Sequence, residues 1–252
     1  MSSNPNPERE WFGEEKVSPE EKTGKVIGVF DSVASKYDIM NDFMSGGLHR
    51  VWKDRFVRDI RPKAHYKYLD VAGGTGDIAF KIRKKIGCTS DITVFDLNEN
   101  MLRVGRDRAI NKGWLDGFTW NTGNAESLPF PDNSFDIYTI AFGLRNVTHI
   151  DTALKEAHRV LKPGGRFFCL EFSHVEEPAF AKLYDIYSYN VIPRIGQIIT
   201  KDRESYQYLV ESIRKFPTQR NLKERLEAAG FATAKYTNLS GGIVAVHQAL
   251  KA

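Results

Sequence analysis

The residues best suited to chemistry gather in a few short stretches. Asp70 sits in the apolar run Tyr68-Leu69-Asp70-Val71-Ala72, and Gly73-Gly74-Thr75-Gly76 follows it directly, ahead of Asp77. Glycines at those places let a turn fold tightly and let a ligand approach bare backbone. The opening amides of a helix beyond the turn carry partial positive charge suited to a carboxylate or phosphate. A further acid, Asp96, closes the run Ile92-Thr93-Val94-Phe95. There it can accept hydrogen bonds from ribose hydroxyls, and the adjoining Leu97 is counted with it. Asn124 offers an amide to an adenine edge, with the backbone of Ala125 beside it; a plain turn asparagine is the competing reading. The stretch Gly143-Leu144-Arg145-Asn146 follows a fourth apolar run that ends at Ala141-Phe142.

These groups need elements to hold them. Tyr68–Ala72 reads as a strand, and Ile78, Ala79 and Ile82 mark one face of the helix after the turn, the front half of a βαβ unit. Residues 92–95, 118–121, 135–142 and 166–171 continue the series of strands. Asn98 can cap a helix through about Asn111. Val147, Ile150, Leu154, Ala157 and Leu161 mark an amphipathic helix ending at Lys162-Pro163-Gly164-Gly165, and Thr218 can cap a shorter one closed by Gly230. Runs 231–238 and 243–249 read as a final strand pair joined near Ser240-Gly241-Gly242. In parallel α/β sheets ligands sit beyond the carboxyl ends of the strands, where Asp70, Asp96, Asn124 and Arg145 all fall. The turn lacks the Gly-x-Gly-x-x-Gly spacing of dinucleotide sites. Two carboxylates, Asp70 and Asp77, would repel a pyrophosphate but suit the ammonium of an amino-acid-bearing nucleoside. In this the stretch resembles the S-adenosylmethionine (SAM) turn of the Rossmann-like methyltransferases. A nicotinamide oxidoreductase is the rival of another class.

The chain has 252 residues and a net charge of +4, enough for one large domain and only mildly basic. No Lys/Arg cluster with interleaved aromatics occurs, which argues against nucleic acid as a partner; anionic lipid headgroups stay open. Cys88 and Cys169 have neither metal nor disulfide spacing, so reduced thiols and no metal are expected. There is no run of eighteen apolar residues to span a membrane. Residues 1–22 are polar and charged and read as a flexible arm, with 23–252 as a single domain. Within it, 23–62 reads as a helical lid. Tyr37 and Asn41 could face into a pocket there, or the stretch could be a connector packing Met40, Phe43 and Trp52 into the core. Residues 173–217 interrupt the alternation with aromatics, Tyr184 and Tyr189 among them. Such an insertion could enclose a large apolar substrate, press on a membrane surface, or simply add core.

Longer motifs sharpen this. Tyr37-Asp38-x-Met40-Asn41 through Ser45, His49 and Trp52, the turn at 69–77, Phe142-Gly143-Leu144-Arg145-Asn146-Val147, and Arg159 to Gly165 through Glu171 and Ser173 together resemble the UbiE-type C-methyltransferases of ubiquinone and menaquinone biosynthesis. The resemblance implies a class I SAM-dependent methyltransferase fold: a seven-stranded, mostly parallel sheet with an antiparallel last strand, a helical N-terminal lid and a helical insertion after the fifth strand. It implies SAM contacts at Thr75, Asp96, Asn124 and Ala125, to which Asp70, Gly73, Gly74, Leu97 and Ala141 are added from the turn and strand ends. Bacterial members tend to carry Ser where this chain has Ala141, so a hydroxyl contact is lost and a backbone contact could remain. That feature and Asn146-Val147-Thr148-His149-Ile150-Asp151 look more like the mitochondrial branch. It implies a matrix-side, peripheral place on the mitochondrial inner membrane, or the cytoplasm if the chain is bacterial.

The implied acceptor is a polyprenyl benzoquinol, with a naphthoquinol as the rival within the family. A sulfonium methyl is an electrophile, so the ring carbon must be the nucleophile, which a quinol can be and a quinone cannot. Arg145, Asn146 and Tyr37 are the expected catalytic residues, and Tyr37, Asn41, Arg145, Tyr184 and Tyr189 the expected substrate contacts. A guanidinium is a poor proton acceptor and better suited to a developing phenolate; a salt bridge to a carboxylate at the sheet's edge is the alternative for Arg145. His49, His149, His174 and His247 are conceivable bases. Implied partners are other quinone-biosynthesis enzymes in a complex, with a homodimer as an option. A SAM-binding assembly subunit is the remaining rival.

Overall fold

The computed structural model describes residues 9–13, 15–33, 42, 45–87, 91–175 and 203–252. A hairpin of β1 (Glu10–Phe12) and β2 (Glu15–Val17) precedes α1 (Pro19–Val33) and α2 (Leu48–Ile60). Strands and helices then alternate: β3 (Lys67–Val71), α3 (Asp77–Ile86), β4 (Asp91–Asp96), α4 (Glu99–Asn111), β5 (Phe118–Thr122) and β6 (Phe135–Ala141). After a tight 3-10 turn at Leu144–Asn146 come α5 (Ile150–Val160), β7 (Leu161–Phe172), α6 (Arg203–Lys215), α7 (Gln219–Ala228), β8 (Thr233–Leu239) and β9 (Val244–Leu250).

Among the described residues, seven strands form one sheet in the order β5-β4-β3-β6-β7-β9-β8. The first five in that order run parallel, and β9 is antiparallel to both its neighbours. This is the sheet expected above. The run Lys67–Val71 is buried from Tyr68 onward because helices cover both faces. The period of two in the strands sorts their side chains into two cores. Tyr68, Ile92, Val94, Ile137 and Phe168 face α2, α3 and α4 through Phe56, Ile60, Ile82 and Leu102. Leu69, Val71, Phe95, Tyr138 and Cys169 face α5 and α7 through Leu154, Ala157, Leu222 and Leu226. The caps at Asn98 and Thr218 form as their side chains predict, accepting from the amides of Met101 and Asn221.

Two expectations are corrected. The segment read as an arm through residue 22 is structured from β1 onward, and its boundary falls inside α1. A capping box starts that helix: Ser18 accepts from the Glu21 amide, Glu21 from the Ser18 amide, and Pro19 takes the first helical position. Apolar Val17 is 4% exposed, so the hairpin is anchored despite its charged neighbours. The helix read as reaching Leu161 stops at Val160, because Leu161 pairs with Phe135 and begins β7. Register resumes only at Ile137 with Arg166, so the Pro-Gly-Gly stretch bulges out of the ladder. In the lid segment Trp52 is in the core, against Phe142 and Phe172. Tyr37, Met40, Asn41, Phe43, Cys88, Tyr184 and Tyr189 lie outside the described residues. No helix among those described is long and apolar enough to cross a membrane.

Candidate active site

The sheet order reverses between β4-β3 and β6, and the carboxyl ends of these strands open onto a cavity of about 800 Å³. A crevice at such a switch point is where open α/β sheets bind ligands. The turn after β3 builds its floor. Ala72, Gly74 and Gly76 have positive φ, at 49°, 52° and 84°. A Cβ on Gly73 would stand 2.6 Å from Val94 Cγ1 and 2.9 Å from the Asp70 carbonyl oxygen, so only glycine fits. The Gly74 amide donates to Asp96 Oδ2 at 2.8 Å, joining the turn to the tip of β4. On the far wall Phe142 also has positive φ, 56°, for a bulky residue a strained conformation of the kind found at functional sites.

Gly74, Asp96, Leu97, Asn124, Ala125 and Asn146 all line this cavity, with Val26, Ile27 and Phe30 of α1 closing one side. A narrower chamber of about 350 Å³ adjoins it, where Asp70, Gly73, Thr75 and Ala141 are found. Every described residue expected to hold the cofactor is therefore in one of two chambers that share Ala72, Gly74 and Phe142. Burial pushes the Asp96 carboxyl up to about 6, against the amides of Asn98, Gly74 and Leu97 that favour its charge. Burial pushes Asp70 up to about 7, while the Thr139 hydroxyl donates to its Oδ1 at 2.7 Å. Asp70 Oδ2 is buried with no partner, a cost that a bound donor would relieve. Asn124 Oδ1 accepts from the Glu126 amide, closing a turn, and the residue also lines the cavity.

Asp77 is not available to an ammonium in the way Asp70 is. Burial alone would raise its pKa, but Lys53 at 2.7 Å and Arg108 at 2.9 Å outweigh that and hold it at about 2. For Arg145 the structure shows the salt bridge to a carboxylate that was the alternative reading. Its side chain is 3% exposed and Nη1 donates to Glu171 Oε1 at 2.7 Å and to the Phe142 carbonyl at 2.6 Å. Two charges taken out of water need one another, so the carboxylate at the end of β7 holds the guanidinium behind the 143–146 loop. Arg145 does not line the large cavity. It lines a second, open one with Lys22, Trp11, His149 and Tyr208, and the two cavities share Val147 and Thr148 as lining. Arg145 Nε is buried without a partner. Asn146 lines the large cavity and its Oδ1 accepts from the Tyr208 hydroxyl of α6 at 3.0 Å.

The four candidate histidines each hold a partner: Asp42 for His49, Glu126 for His149, the Phe216 carbonyl for His174 and the Gln219 carbonyl for His247. None of them lines the large cavity. Sequence reasoning passed over Lys53, Glu126 and Arg108 as parts of the site, while Tyr208 belongs to the aromatic insertion at 173–217 expected beside it. Glu126 latches the loop after β6 by accepting from the amides of Thr148 and His149, both at 3.1 Å. Its place after Asn124-Ala125 was the one signal available. Lys53 and Arg108 come to the turn from distant helices, and nothing local marks them.

The chambers fit SAM: an acid at the β4 tip for ribose, an amide and backbone at 124–125 for adenine, and a carboxylate with one oxygen unpartnered in the narrow end for an ammonium. Comparison with known proteins agrees. The chain is 57% identical over 242 residues to the ubiquinone/menaquinone biosynthesis C-methyltransferase UbiE of Brucella abortus, covering 95% of this chain and 90% of that protein. It is 51% identical over 273 residues to the mitochondrial 2-methoxy-6-polyprenyl-1,4-benzoquinol methylase of Bos taurus, covering 95% and 83%. A SAM-dependent methyltransferase from Thermotoga maritima, a possible histamine N-methyltransferase, shares the fold at a TM-score of 0.61 and 21% identity, over 89% of this chain and 99% of that one. The fold alone does not set the reaction, since the [4+2]-cyclase SpnF has it too, at a TM-score of 0.51 and 19% identity over 79% and 81%. Residues 16–251 match the model of one family, and on that match and these identities the chain belongs to the ubiE/COQ5 methyltransferase family.

Proposed function

We propose that this methyltransferase adds a methyl group to a ring carbon of a polyprenyl methoxy-benzoquinol, the step named for its mitochondrial relative. SAM, held in the two chambers, supplies an electrophilic sulfonium methyl. The observation that carries the reading is Asp96: it stands in the cavity wall at the tip of β4, tied to the Gly74 amide, as a ribose acceptor must. Asn124 and Ala125 hold the adenine, and Gly73, Gly74, Thr75, Leu97 and the backbone of Ala141 frame the rest.

Asn146 orients the acceptor ring from the cavity wall. Arg145 Nε, the buried donor without a partner, takes the acceptor's oxygen where the two cavities meet at Val147 and Thr148, and stabilises the phenolate as it forms. The hydroxyl proton passes to water, since arginine itself is a poor base. As the ring carbon bonds to the methyl the sulfur–methyl bond breaks, S-adenosylhomocysteine would leave, and the methylated carbon then loses its own proton to return the ring to the quinol. Tyr37, Asn41, Tyr184 and Tyr189 are the further acceptor-binding residues of this reading. Aligning ring carbon, methyl and sulfur supplies much of the acceleration. The greasy acceptor places the enzyme peripherally at a membrane, on the matrix side if mitochondrial, beside other enzymes of the pathway. A naphthoquinol acceptor is the second reading, favoured by the paired name of the bacterial relative.

Incubating the protein and Arg145→Ala with SAM and short-tailed demethyl benzoquinol or naphthoquinol under reducing conditions tests this. Methyl transfer to the benzoquinol ring by wild type, lost in the variant, is expected. Tight SAM binding without turnover on either quinol would make it an assembly subunit instead.

A further inference from the structure

Building on the reading of the chambers as a SAM site, we propose that Lys53 of α2 holds the carboxylate of the cofactor's amino-acid end. The narrow chamber is lined by Lys53, Asp70, Gly73, Thr75 and Asp77 among others, and shares Ala72, Gly74 and Phe142 with the large one. An amino-acid end brings an ammonium and a carboxylate, so its chamber needs an acceptor and a donor. The acceptor is Asp70 Oδ2, on a residue 1% exposed and with no protein partner.

The donor has to carry charge not already cancelled. Asp77 is bracketed by Lys53 Nζ on Oδ2, at 2.7 Å, and by Arg108 Nη2 on Oδ1, at 2.9 Å. Two cations against one carboxylate leave one positive charge in excess. Arg108 also commits Nη1 to the Thr75 hydroxyl at 2.7 Å. Among the described residues Lys53 donates to Asp77 alone, and an ammonium has three protons to give. Its side chain is 5% exposed, so bulk water does not stand in for the missing acceptors. A strap between α2 and α3 would need only the Asp77 contact. An ammonium turned into a chamber beside the glycine turn does more: it lets α2, which belongs to neither strand nor helix of the βαβ unit, sense whether the amino-acid end is in place.

The test compares two nucleosides by calorimetry. S-adenosylhomocysteine keeps the amino-acid end, and 5′-methylthioadenosine lacks it. Lys53→Gln should weaken S-adenosylhomocysteine about 10- to 100-fold. It should leave 5′-methylthioadenosine within about two-fold. Lys53→Arg, which keeps the charge, should restore most of the loss. Equal losses for both nucleosides, or none, overturn the proposal while leaving the SAM site standing. Failure of the wild type to bind either nucleoside removes the SAM reading and this one with it. Should Lys53→Gln not fold, wild type itself decides: SAM must bind at least about tenfold tighter than its decarboxylated form, and equal affinity refutes the carboxylate contact.

Discussion

Asp96 and Asp70 must both be charged to serve ribose hydroxyls and an ammonium, yet burial holds them at about 6 and about 7 in the free protein. Binding selects the charged forms, so protons leave as the nucleoside enters. Affinity for S-adenosylhomocysteine should therefore rise from pH 5 to about pH 7.5, by up to about tenfold per unit for each proton released, and level off above. Calorimetry near pH 6.5 in two buffers of unlike ionisation heat should show net proton release; uptake would contradict it. Arg145 and Glu171 form the other residue-level test. Arg145→Ala leaves a carboxylate buried and unpaired, which should cost about 3–5 kcal/mol of stability. Arg145→Met with Glu171→Gln should recover most of the melting temperature but not the methyl transfer. Recovered transfer would show that the guanidinium only supports the loop.

At the scale of elements, α4 and the turn after β3 approach so closely that ordinary helix rules reverse. Alanine for glycine inside a helix normally stabilises by up to about 1 kcal/mol. A Cβ on Gly105, however, would stand 2.6 and 2.8 Å from ring atoms of Trp120 and 3.0 Å from the Thr75 carbonyl carbon. Gly105→Ala should instead lower stability by about 1–2 kcal/mol in a denaturant melt, and weaken S-adenosylhomocysteine by pressing on Thr75. An unchanged or raised melting temperature would mean that α4 can retreat. The capping box of α1 gives a smaller, local effect, with Ser18→Ala costing about 1 kcal/mol.

Across the whole molecule, three segments distant in sequence meet at the loop after β6. Phe12 of the hairpin stacks on Tyr208 of α6 at 4.1 Å, and Tyr208 donates to Asn146. Lys215 of α6 lies over Trp11 at 3.9 Å. Removing residues 1–17 should therefore raise the KM for the quinol several-fold while S-adenosylhomocysteine affinity stays within about two-fold. A matching loss in both would place the hairpin's role in general stability.

Local sequence determined a good deal here, for physical reasons that act over a few residues. Apolar runs with β-forming side chains, capping side chains at Asn98 and Thr218, and glycines where a Cβ would collide predict the strands, helix starts and the turn. Because β3 to β7 run parallel, the ends of those strands necessarily share one edge, and that placed Asp96, Asn124 and Asn146 around one cavity from sequence alone. Only the tertiary structure decided where the charges go. Asp77 is neutralised by Lys53 and Arg108, and Arg145 turns to Glu171 rather than into the nucleoside cavity. Each of those pairings joins residues more than twenty positions apart, across elements whose spacing no local pattern encodes. A long side chain can point to either side of a loop, and burial makes it choose the side where its opposite charge already sits.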